Sequence, residues 1–211
     1  LYIAAGDTLG AQLGSTAVRV EEFLPDTMKI ASAFNKPLPH GWVTPDGLKA
    51  TVTLEHLYGA PAVDHRITAR ISVAPGSFTF KDFSDYNFFD ARRNDKTFDQ
   101  PVGEAQTDAE GKVSFDLNLG QFGASTYRLT FHGEGFAQDS GRSVHTAKNV
   151  LVSPLPYVIG TKADSNLGYI NKDAKRQVQM IALDPDLQGI AVKGLTTQIF
   201  RIDYVSALIK D

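Results

Sequence analysis

Five aspartates lie within a short stretch of this sequence and raise the question of a calcium site. They are Asp82, Asp85, Asp90, Asp95 and Asp99. Calcium binds clustered carboxylate oxygens, so such a stretch is a candidate. The spacing is not that of an EF-hand loop, and Arg92, Arg93 and Lys96 lie between the acids. The pattern therefore predicts a solvated, partly ion-paired loop without a bound metal.

The five histidines, which could serve as bases or metal ligands, are scattered along the chain. They are His40, His56, His65, His132 and His145. No two have the His-x-x-x-His spacing that places both rings on one side of a helix, and none has a positioned partner nearby in sequence. We predict that each is a surface or packing residue. His132, for example, falls on the polar side of its predicted strand.

Two short motifs could suggest a nucleophile or a phosphate loop. Ser140 lies between Asp139 and Gly141, but a nucleophile elbow needs a strand, a turn and a helix, and here a hairpin turn is predicted. Gly133-Glu134-Gly135 has the glycines of a phosphate loop without a helix after it. The chain has no cysteine, which excludes a thiol nucleophile and cysteine-ligated metals. We predict no catalytic, cofactor-binding or metal-binding residues in this segment, and no enzyme activity.

An aromatic cluster allows two interpretations. It comprises Phe78, Phe80, Phe83, Tyr86, Phe88, Phe89 and Phe98. Aromatic faces could form a binding platform for a sugar or a peptide, with Tyr86 and Phe88 exposed beside Trp42. Alternatively, the cluster is the apolar underside of an insert that folds onto the sandwich or a neighbouring domain. We favour the second, because an exposed patch of this size would promote aggregation.

The elements that must position these residues are β-strands. Apolar residues alternate with polar ones in four segments, which places one face of each strand in a core. The alternating sets are Leu48, Ala50, Val52 and Leu54; Ile67, Ala69, Ile71 and Val73; Val113, Phe115, Leu117 and Leu119; and Tyr127, Leu129 and Phe131. Such strands, separated by Gly-rich turns, predict an all-β fold, an antiparallel sandwich of the Ig or fibronectin III kind.

Turns and prolines divide the chain. The turn 108–111 is predicted to close a hairpin, and the turn 138–141 to separate two further strands. Prolines after the strands 18–23 and 149–152 mark two joints, because proline cannot donate to a sheet. We predict terminal strands of a preceding domain over 1–24, a complete sandwich over 25–153 with an aromatic insert at 76–106, and the first strands of a following domain over 154–211. Those last strands are expected at 157–159, 178–183 and 199–209.

Charge and composition exclude several partners. The net charge of the 211 residues is −3, which gives no basis for attraction to nucleic acid. No apolar run reaches the roughly 18 residues of a membrane helix, so we expect no direct membrane contact by this segment. The chain begins at Leu1 within a strand-like stretch, which indicates excision from a longer protein.

The joints resemble a known family. Residues 19–29 (RVEEFLPDTMK) resemble the junction between macroglobulin-like domains of bacterial alpha-2-macroglobulins, and 57–62 (LYGAPA) resemble the turn after the second strand of such a domain. The segment 80–88 (FKDFSDYNF) is similar to the aromatic insert of the bacterial members. The segments 156–162 (PYVIGTK) and 178–186 (VQMIALDPD) are similar to the opening of a further domain.

The resemblance implies a function for the parent protein. Members of this family trap proteases: cleavage of a bait region collapses the domains around the attacker, and many members hold a thioester from a Cys-x-Glu-Gln motif. Without cysteine, this segment is expected to be framework, with neighbouring domains of the parent as its partners and target proteases reached through the parent. The implied location is the periplasm, in a lipoprotein anchored to the inner membrane. The alternatives are a ligand-binding sandwich of carbohydrate or adhesin type, and an enzyme with a site spread over loops.

Overall fold

The computed structural model describes residues 2–4, 12–15, 27–38, 40–90, 92–138, 142–165, 167, 174–198 and 200. Twelve strands lie in this part of the chain: β1 Tyr2–Ala4, β2 Gln12–Ser15, β3 Met28–Phe34, β4 Lys49–His56, β5 Arg66–Pro75, β6 Asn87–Phe88, β7 Phe98–Gln106, β8 Lys112–Asp116, β9 Tyr127–Phe136, β10 Ser143–Val152, β11 Val158–Ala163 and β12 Val178–Leu183. Its other regular elements are two short 3-10 helices, Lys81–Phe83 and Leu119–Phe122. No helix in the described ranges is long and apolar enough to cross a membrane.

Two antiparallel sheets form a sandwich. One has the strand order β10-β9-β5-β7 and the other β3-β4-β8. The alternating residues predicted for the core are buried between the sheets in β4, β5 and β9, and so are Phe115, Leu117 and Leu119 at the end of β8 and just after it. Val113 is half-buried against the same core. The predicted all-β antiparallel sandwich is therefore confirmed.

A third sheet connects the sandwich with the segment that follows it. Its order is β12-β11-β6. The strands β11 and β12 are the ones expected near 157–159 and 178–183, although β11 continues to Ala163. The strand β6 comes from the aromatic segment, so residues from two predicted domains share one sheet. A separate antiparallel pair joins β1 to β2.

The strand β7 corrects the predicted extent of the insert. Residues 98–106 belong to the four-stranded sheet, where β7 pairs with β5, so the part outside the sandwich sheets is 76–97. The alternation of apolar and polar residues is interrupted in β7 for two reasons. It is an edge strand containing Pro101, and its pairing with β5 shifts register opposite Ala69 and Arg70, so that Val102 is an extra residue.

The turn 108–111 is also different from the prediction. It is a tight turn, with Gly111 N donating to Asp108 O at 2.9 Å, but it does not close a hairpin. The strand before it, β7, pairs with β5, and the strand after it, β8, pairs with β4 in the opposite sheet. Local turn chemistry fixes the reversal of the chain and leaves open which sheet the next strand joins.

Several predictions lie outside the described residues. These are the strand 18–23 with its proline joint at Leu24 and Pro25, the strand 199–209 apart from Phe200, and Ser140 in its turn. The hairpin around Ser140 is visible in its flanks, where β9 and β10 pair from Ser143 and Phe136 onward.

Candidate functional site

The feature most suited to a function is a second apolar core at the joint between the sandwich and the third sheet. We call it the joint cluster. Its buried members are Trp42, Phe78, Phe80, Leu151, Val158 and Leu183, and Phe83, Phe88, Leu155, Ile181 and Leu187 pack against them. Four different stretches of the chain supply these residues, so the cluster ties the insert and the following segment to the sandwich.

Trp42 lies at the centre of the joint cluster with 0% of its surface exposed. Its indole N–H donates to Leu155 O at 2.8 Å, which satisfies the polar atom of a buried ring. Its ring meets Phe78 edge-on at 5.0 Å and stacks on Phe80 at 6.2 Å between centroids. The prediction that the insert covers the sandwich is thus supported, whereas an exposed platform that includes Trp42 is wrong.

The insert also joins the third sheet through its backbone. In β6, Phe88 pairs with Gly160 and Asn87 with Thr161 of β11. The Phe88 ring lies over Gly160: a Cβ atom there would come within 2.6 Å of the ring carbon Cε1. Glycine at position 160 is therefore required by close approach, and the ring in turn covers the backbone of the following segment.

Polar contacts surround this apolar contact at the surface. Lys162 forms an ion pair with Asp85, and the Tyr86 hydroxyl donates to Gln179 Oε1 at 3.3 Å. The hydrogen bond from Lys162 lowers the pKa of the Asp85 carboxyl and raises the pKa of the Lys162 ammonium group. Both groups are solvated, so the pair contributes orientation more than free energy.

Backbone hydrogen bonds hold the chain where it leaves the sandwich. Val43 N donates to Leu151 O at 2.9 Å, and Ser153 N donates to Val43 O at 3.0 Å. The buried Ser153 hydroxyl shares a 2.7 Å hydrogen bond with that of Thr126 and accepts one from Leu155 N at 3.2 Å. The chain therefore leaves the sandwich along a fixed path, as the proline joint after residue 152 predicted.

A turn of the following segment rests directly on the sandwich. Gly41 N donates to Pro185 O at 2.9 Å, and a Cβ atom on Gly41 would meet that oxygen at 2.7 Å. Leu187 in the same turn packs on the joint cluster with φ of 63°, a backbone region that bulky residues rarely adopt. This contact could not be predicted from the sequence, because no local pattern distinguishes a leucine held in a left-handed turn.

The five aspartates do not come together. Asp85 pairs with Lys162, Asp95 with Arg93 at 3.7 Å, and Asp99 with Arg70, whose hydrogen bond lowers the pKa of the Asp99 carboxyl. Asp90 Oδ1 accepts from Arg92 N at 2.8 Å, and Asp82 is exposed at the insert. Within the described ranges no three acidic or histidine side chains are grouped as metal ligands.

Two pairs of histidines come together. The His56 and His65 rings meet edge-on at 5.6 Å, and His132 and His145 face the same groove on the outer face of the four-stranded sheet. The predicted surface or packing roles describe each of them: His40 is exposed, His56 stacks on Tyr58 at 5.1 Å, and His65 is buried with Nδ1 2.8 Å from Val63 O. His145 lies 3.8 Å from Glu134, and His132 Nε2 lies 3.3 Å from the Ser72 hydroxyl.

Ser72, His132 and Asp99 have the side-chain types of a nucleophilic site. Asp99 Oδ2 accepts from the Ser72 hydroxyl at 3.2 Å and does not orient the imidazole, which a catalytic triad requires. The three residues lie on the open outer face of the four-stranded sheet, where water is not excluded. We assign them to the polar network of that face. Ser143, His145 and Glu134 form a second such grouping, but there the same ring nitrogen, His145 Nε2, faces both the serine and the glutamate and cannot bridge them as a triad does.

Gly133 and Gly135 have a packing role. They point inward from the middle of β9, where Cβ atoms would come within 3.2 Å of Val52 Cγ2 and 3.0 Å of Leu54 Cδ1 respectively. Their small size lets the two sheets approach, and the phosphate-loop interpretation has no support from this position.

Fold and joint together define a macroglobulin-like β-sandwich with a following segment fixed to it by a shared sheet and a second apolar core. The family profile described as bacterial alpha-2-macroglobulin MG5 domain matches residues 38–154. This chain belongs to the bacterial alpha-2-macroglobulin family.

Curated relatives agree with this assignment. The chain is 39% identical over 211 residues to an alpha-2-macroglobulin of Rickettsia conorii and covers 11% of it. It is 38% identical over 198 residues to an alpha-2-macroglobulin homolog of Yersinia pestis, with 94% of this chain and 10% of the relative covered. The chain thus spans about a tenth of the length of the curated relatives it matches.

Solved structures show the same fold. A cryo-EM reconstruction of the native conformation of Escherichia coli alpha-2-macroglobulin matches with a TM-score of 0.56 and 19% identity, over 80% of this chain and 11% of that one. The crystal structure of the trypsin-activated Escherichia coli protein matches with a TM-score of 0.55 and 20% identity, over 79% and 12%.

Proposed function

We propose that this chain is a framework segment of a protease-trapping inhibitor, and that its task is to hold two neighbouring domains in a fixed relation. The observation that carries the proposal is the shared third sheet, in which β6 of the insert pairs with β11 of the following segment. A hydrogen-bonded sheet and a buried tryptophan on the same joint resist hinge motion more strongly than a covalent linker alone would.

The mechanism follows from this rigidity. When a protease cleaves the parent elsewhere, stored conformational energy has to be converted into a movement large enough to enclose the protease. Packed joints transmit such a movement as rigid-body displacement of whole domains, whereas flexible joints would dissipate it. The joint cluster would therefore let this sandwich and the following segment move as one unit.

The remaining parts of the proposal concern chemistry and location. The segment itself is proposed to be non-catalytic. The described residues support this because the serine–histidine–acid groupings lie on an open sheet face and their hydrogen bonds do not follow the order of a catalytic triad. Target proteases would meet the parent and not this segment. The parent is proposed to reside in the periplasm as a lipoprotein anchored to the inner membrane, as the family resemblance implies.

A substrate-size assay tests the trapping proposal. The full-length parent is mixed with an active protease, and hydrolysis of a small peptide and of a large protein substrate is followed. A trap encloses the protease, so peptide hydrolysis should persist while hydrolysis of the protein substrate falls several-fold. The 211-residue chain alone, as a control, should change neither rate. Equal hydrolysis of the protein substrate with and without the parent would contradict the proposal.

A further inference from the structure

The end of the sandwich opposite the joint carries an exposed apolar turn. The turn connects β4 to β5 and presents Leu57 and Tyr58, which are 60% and 80% exposed. The Tyr58 ring lies nearly parallel to that of His56, at 5.1 Å and 5°, so it is held in place at the surface. Large apolar side chains that are ordered and uncovered commonly mark a contact surface.

The same turn occurs a second time in this chain, after β12. Three backbone hydrogen bonds define each turn, and their spacings along the chain are identical. They are His56 N to Ala60 O, Gly59 N to His56 O and Ala62 N to Leu54 O in the first turn, and Asp184 N to Gln188 O, Leu187 N to Asp184 O and Ile190 N to Ala182 O in the second. The residues with positive φ also correspond, at Gly59 and Leu187.

The strands that lead into the two turns correspond as well. The strand β4 pairs antiparallel with β3, and β12 pairs antiparallel with β11. An isolated antiparallel bridge closes each turn, between Glu55 and Pro61 in one case and between Leu183 and Gly189 in the other. The unit of β11, β12 and its turn is therefore a structural repeat of β3, β4 and its turn, at the start of the next module.

The second copy shows what such a turn does when its neighbour is present. Pro185, the counterpart of Leu57, accepts a hydrogen bond from Gly41 N of the sandwich at 2.9 Å. Leu187, the counterpart of Gly59, packs on the joint cluster, and Asp186, the counterpart of Tyr58, is exposed beside it. The turn is thus the element by which the following segment rests on this sandwich.

We propose that the turn 57–60 is the corresponding docking element of this sandwich, and that it rests on the macroglobulin-like domain that precedes it in the parent. The inference relies on the proposed role as one module of a tandem array. Gly59 has no side chain to make the contact that Leu187 makes, so Leu57 and Tyr58 would supply the apolar side chains of this turn. The surface that receives the turn should therefore offer an apolar pocket for Tyr58 and a backbone N–H for the Leu57 carbonyl. Thr27 O accepts from Leu57 N at 3.1 Å, so the upstream chain arrives beside this turn.

Hydroxyl-radical footprinting tests the proposal, because it reports the exposure of individual aromatic side chains. The modification rate of Tyr58 is compared between the 211-residue chain and the full-length parent, with the buried Tyr127 as an internal reference. Docking predicts a several-fold lower rate for Tyr58 in the parent, approaching that of Tyr127. An equal rate for Tyr58 in both proteins would overturn the proposal.

A double variant gives a second test that does not depend on labelling. Leu57→Ser with Tyr58→Ser removes exposed side chains, so the thermal midpoint of the 211-residue chain should remain unchanged. In the parent the same change should lower the midpoint, whereas Leu38→Ser, at an exposed position away from the turn, should not. Unchanged midpoints for the double variant in both proteins would contradict docking.

The outcome is separable from that of the proposed function. A parent that traps protease while Tyr58 stays exposed would leave the trapping proposal intact and reject the docking surface. A parent in which Tyr58 is protected but protease is not enclosed would support the docking surface and reject trapping.

Discussion

Buried polar side chains differ in whether their polar atoms have hydrogen-bond partners. The Trp42 N–H has a hydrogen-bond acceptor, and the Ser153 and Thr126 hydroxyls are hydrogen-bonded to each other. Tyr127 is different: its side chain is fully buried, and its hydroxyl has no hydrogen-bond partner among the described residues. A buried hydroxyl without a partner costs about 1–3 kcal/mol. The sandwich core therefore contains one position where the sequence is not optimal for stability.

We predict that Tyr127→Phe leaves stability unchanged or raises it by up to about 1–3 kcal/mol at neutral pH, because it removes an unsatisfied group without changing shape. Burial also raises the pKa of Tyr127 well above its ordinary value of 10.0, so the folded state keeps the phenol neutral. The unfolded state ionises above about pH 10 and binds fewer protons, so stability falls as the pH rises further.

Tyr127→Phe should remove the loss of folding stability that Tyr127 causes above about pH 10. Chemical denaturation of the 211-residue chain at several pH values from neutral to above pH 10 measures it, with Tyr58→Phe at the surface as the matched control. If the stability of Tyr127→Phe falls at alkaline pH as much as that of the unmodified 211-residue chain, Tyr127 is hydrated or hydrogen-bonded in solution.

Leu187 allows a test of backbone strain. Its left-handed conformation costs a leucine or an alanine about 1–2 kcal/mol, whereas glycine adopts it freely. Both Leu187→Ala and Leu187→Gly lose the contact with the joint cluster, but only the glycine variant also relieves the strain. We predict that the glycine variant is more stable than the alanine variant by about 1 kcal/mol, the reverse of the usual order.

Equilibrium unfolding of the 211-residue chain measures this difference. Gly59→Ala in the matching turn is the counterpart, since Gly59 has φ of 93° and open space around it. Gly59→Ala should lower the stability through backbone strain alone, because alanine disfavours this φ and its methyl group meets no other atom. Greater stability of Leu187→Ala than of Leu187→Gly would mean that the turn is not left-handed at this position in solution.

At the scale of elements, the insert is a structural connector. Its aromatic side chains enter the joint cluster, its strand β6 extends the third sheet, and Asp85 pairs with Lys162. Phe89, which follows β6, is 86% exposed, so the insert does not bury all its aromatic residues. The Phe88 ring lies directly against the backbone of β11 at Gly160.

Gly160→Ala should disturb this contact selectively. The added methyl group would overlap the Phe88 ring, and overpacking of this kind costs about 1–3 kcal/mol. Amide hydrogen exchange should accelerate in β11 and β6 while β4, β5 and β9 keep their protection. Gly189→Ala is the matched control, because a Cβ atom there meets nothing within 4 Å. Equal exchange in β11 for both variants would contradict the steric account.

The elements of this fold could be predicted from the sequence to different extents. The inward rows of β4, β5 and β9 followed from alternation, because each strand has one buried and one solvated face. The strand β7 did not, since a bulge and an edge proline interrupt its pattern. The joint cluster was foreseen only as a covered aromatic surface: its partners Leu183 and Leu187 are distant in sequence, and local patterns carry no information on such pairings.

At the scale of the whole molecule, the chain is one module with a following segment attached by a shared sheet. The repeated turns at 57–60 and 185–188 are the basis of our proposal that this sandwich rests on the preceding domain in the way that the following segment rests on this sandwich. Under that proposal, consecutive domains would be stiffly joined, as the proposed trapping movement requires. This chain covers about a tenth of the length of its curated relatives, so the proposed movement can be tested only in the full-length parent.

The most direct test of the account is amide hydrogen exchange in β6 and β11 of the full-length parent, before and after reaction with a protease. If the joint moves as a rigid body, the amides paired between Phe88 and Gly160 and between Asn87 and Thr161 stay protected in both states. Exchange in these amides that becomes several-fold faster after the reaction would show that the joint opens, and would contradict a framework role for this segment.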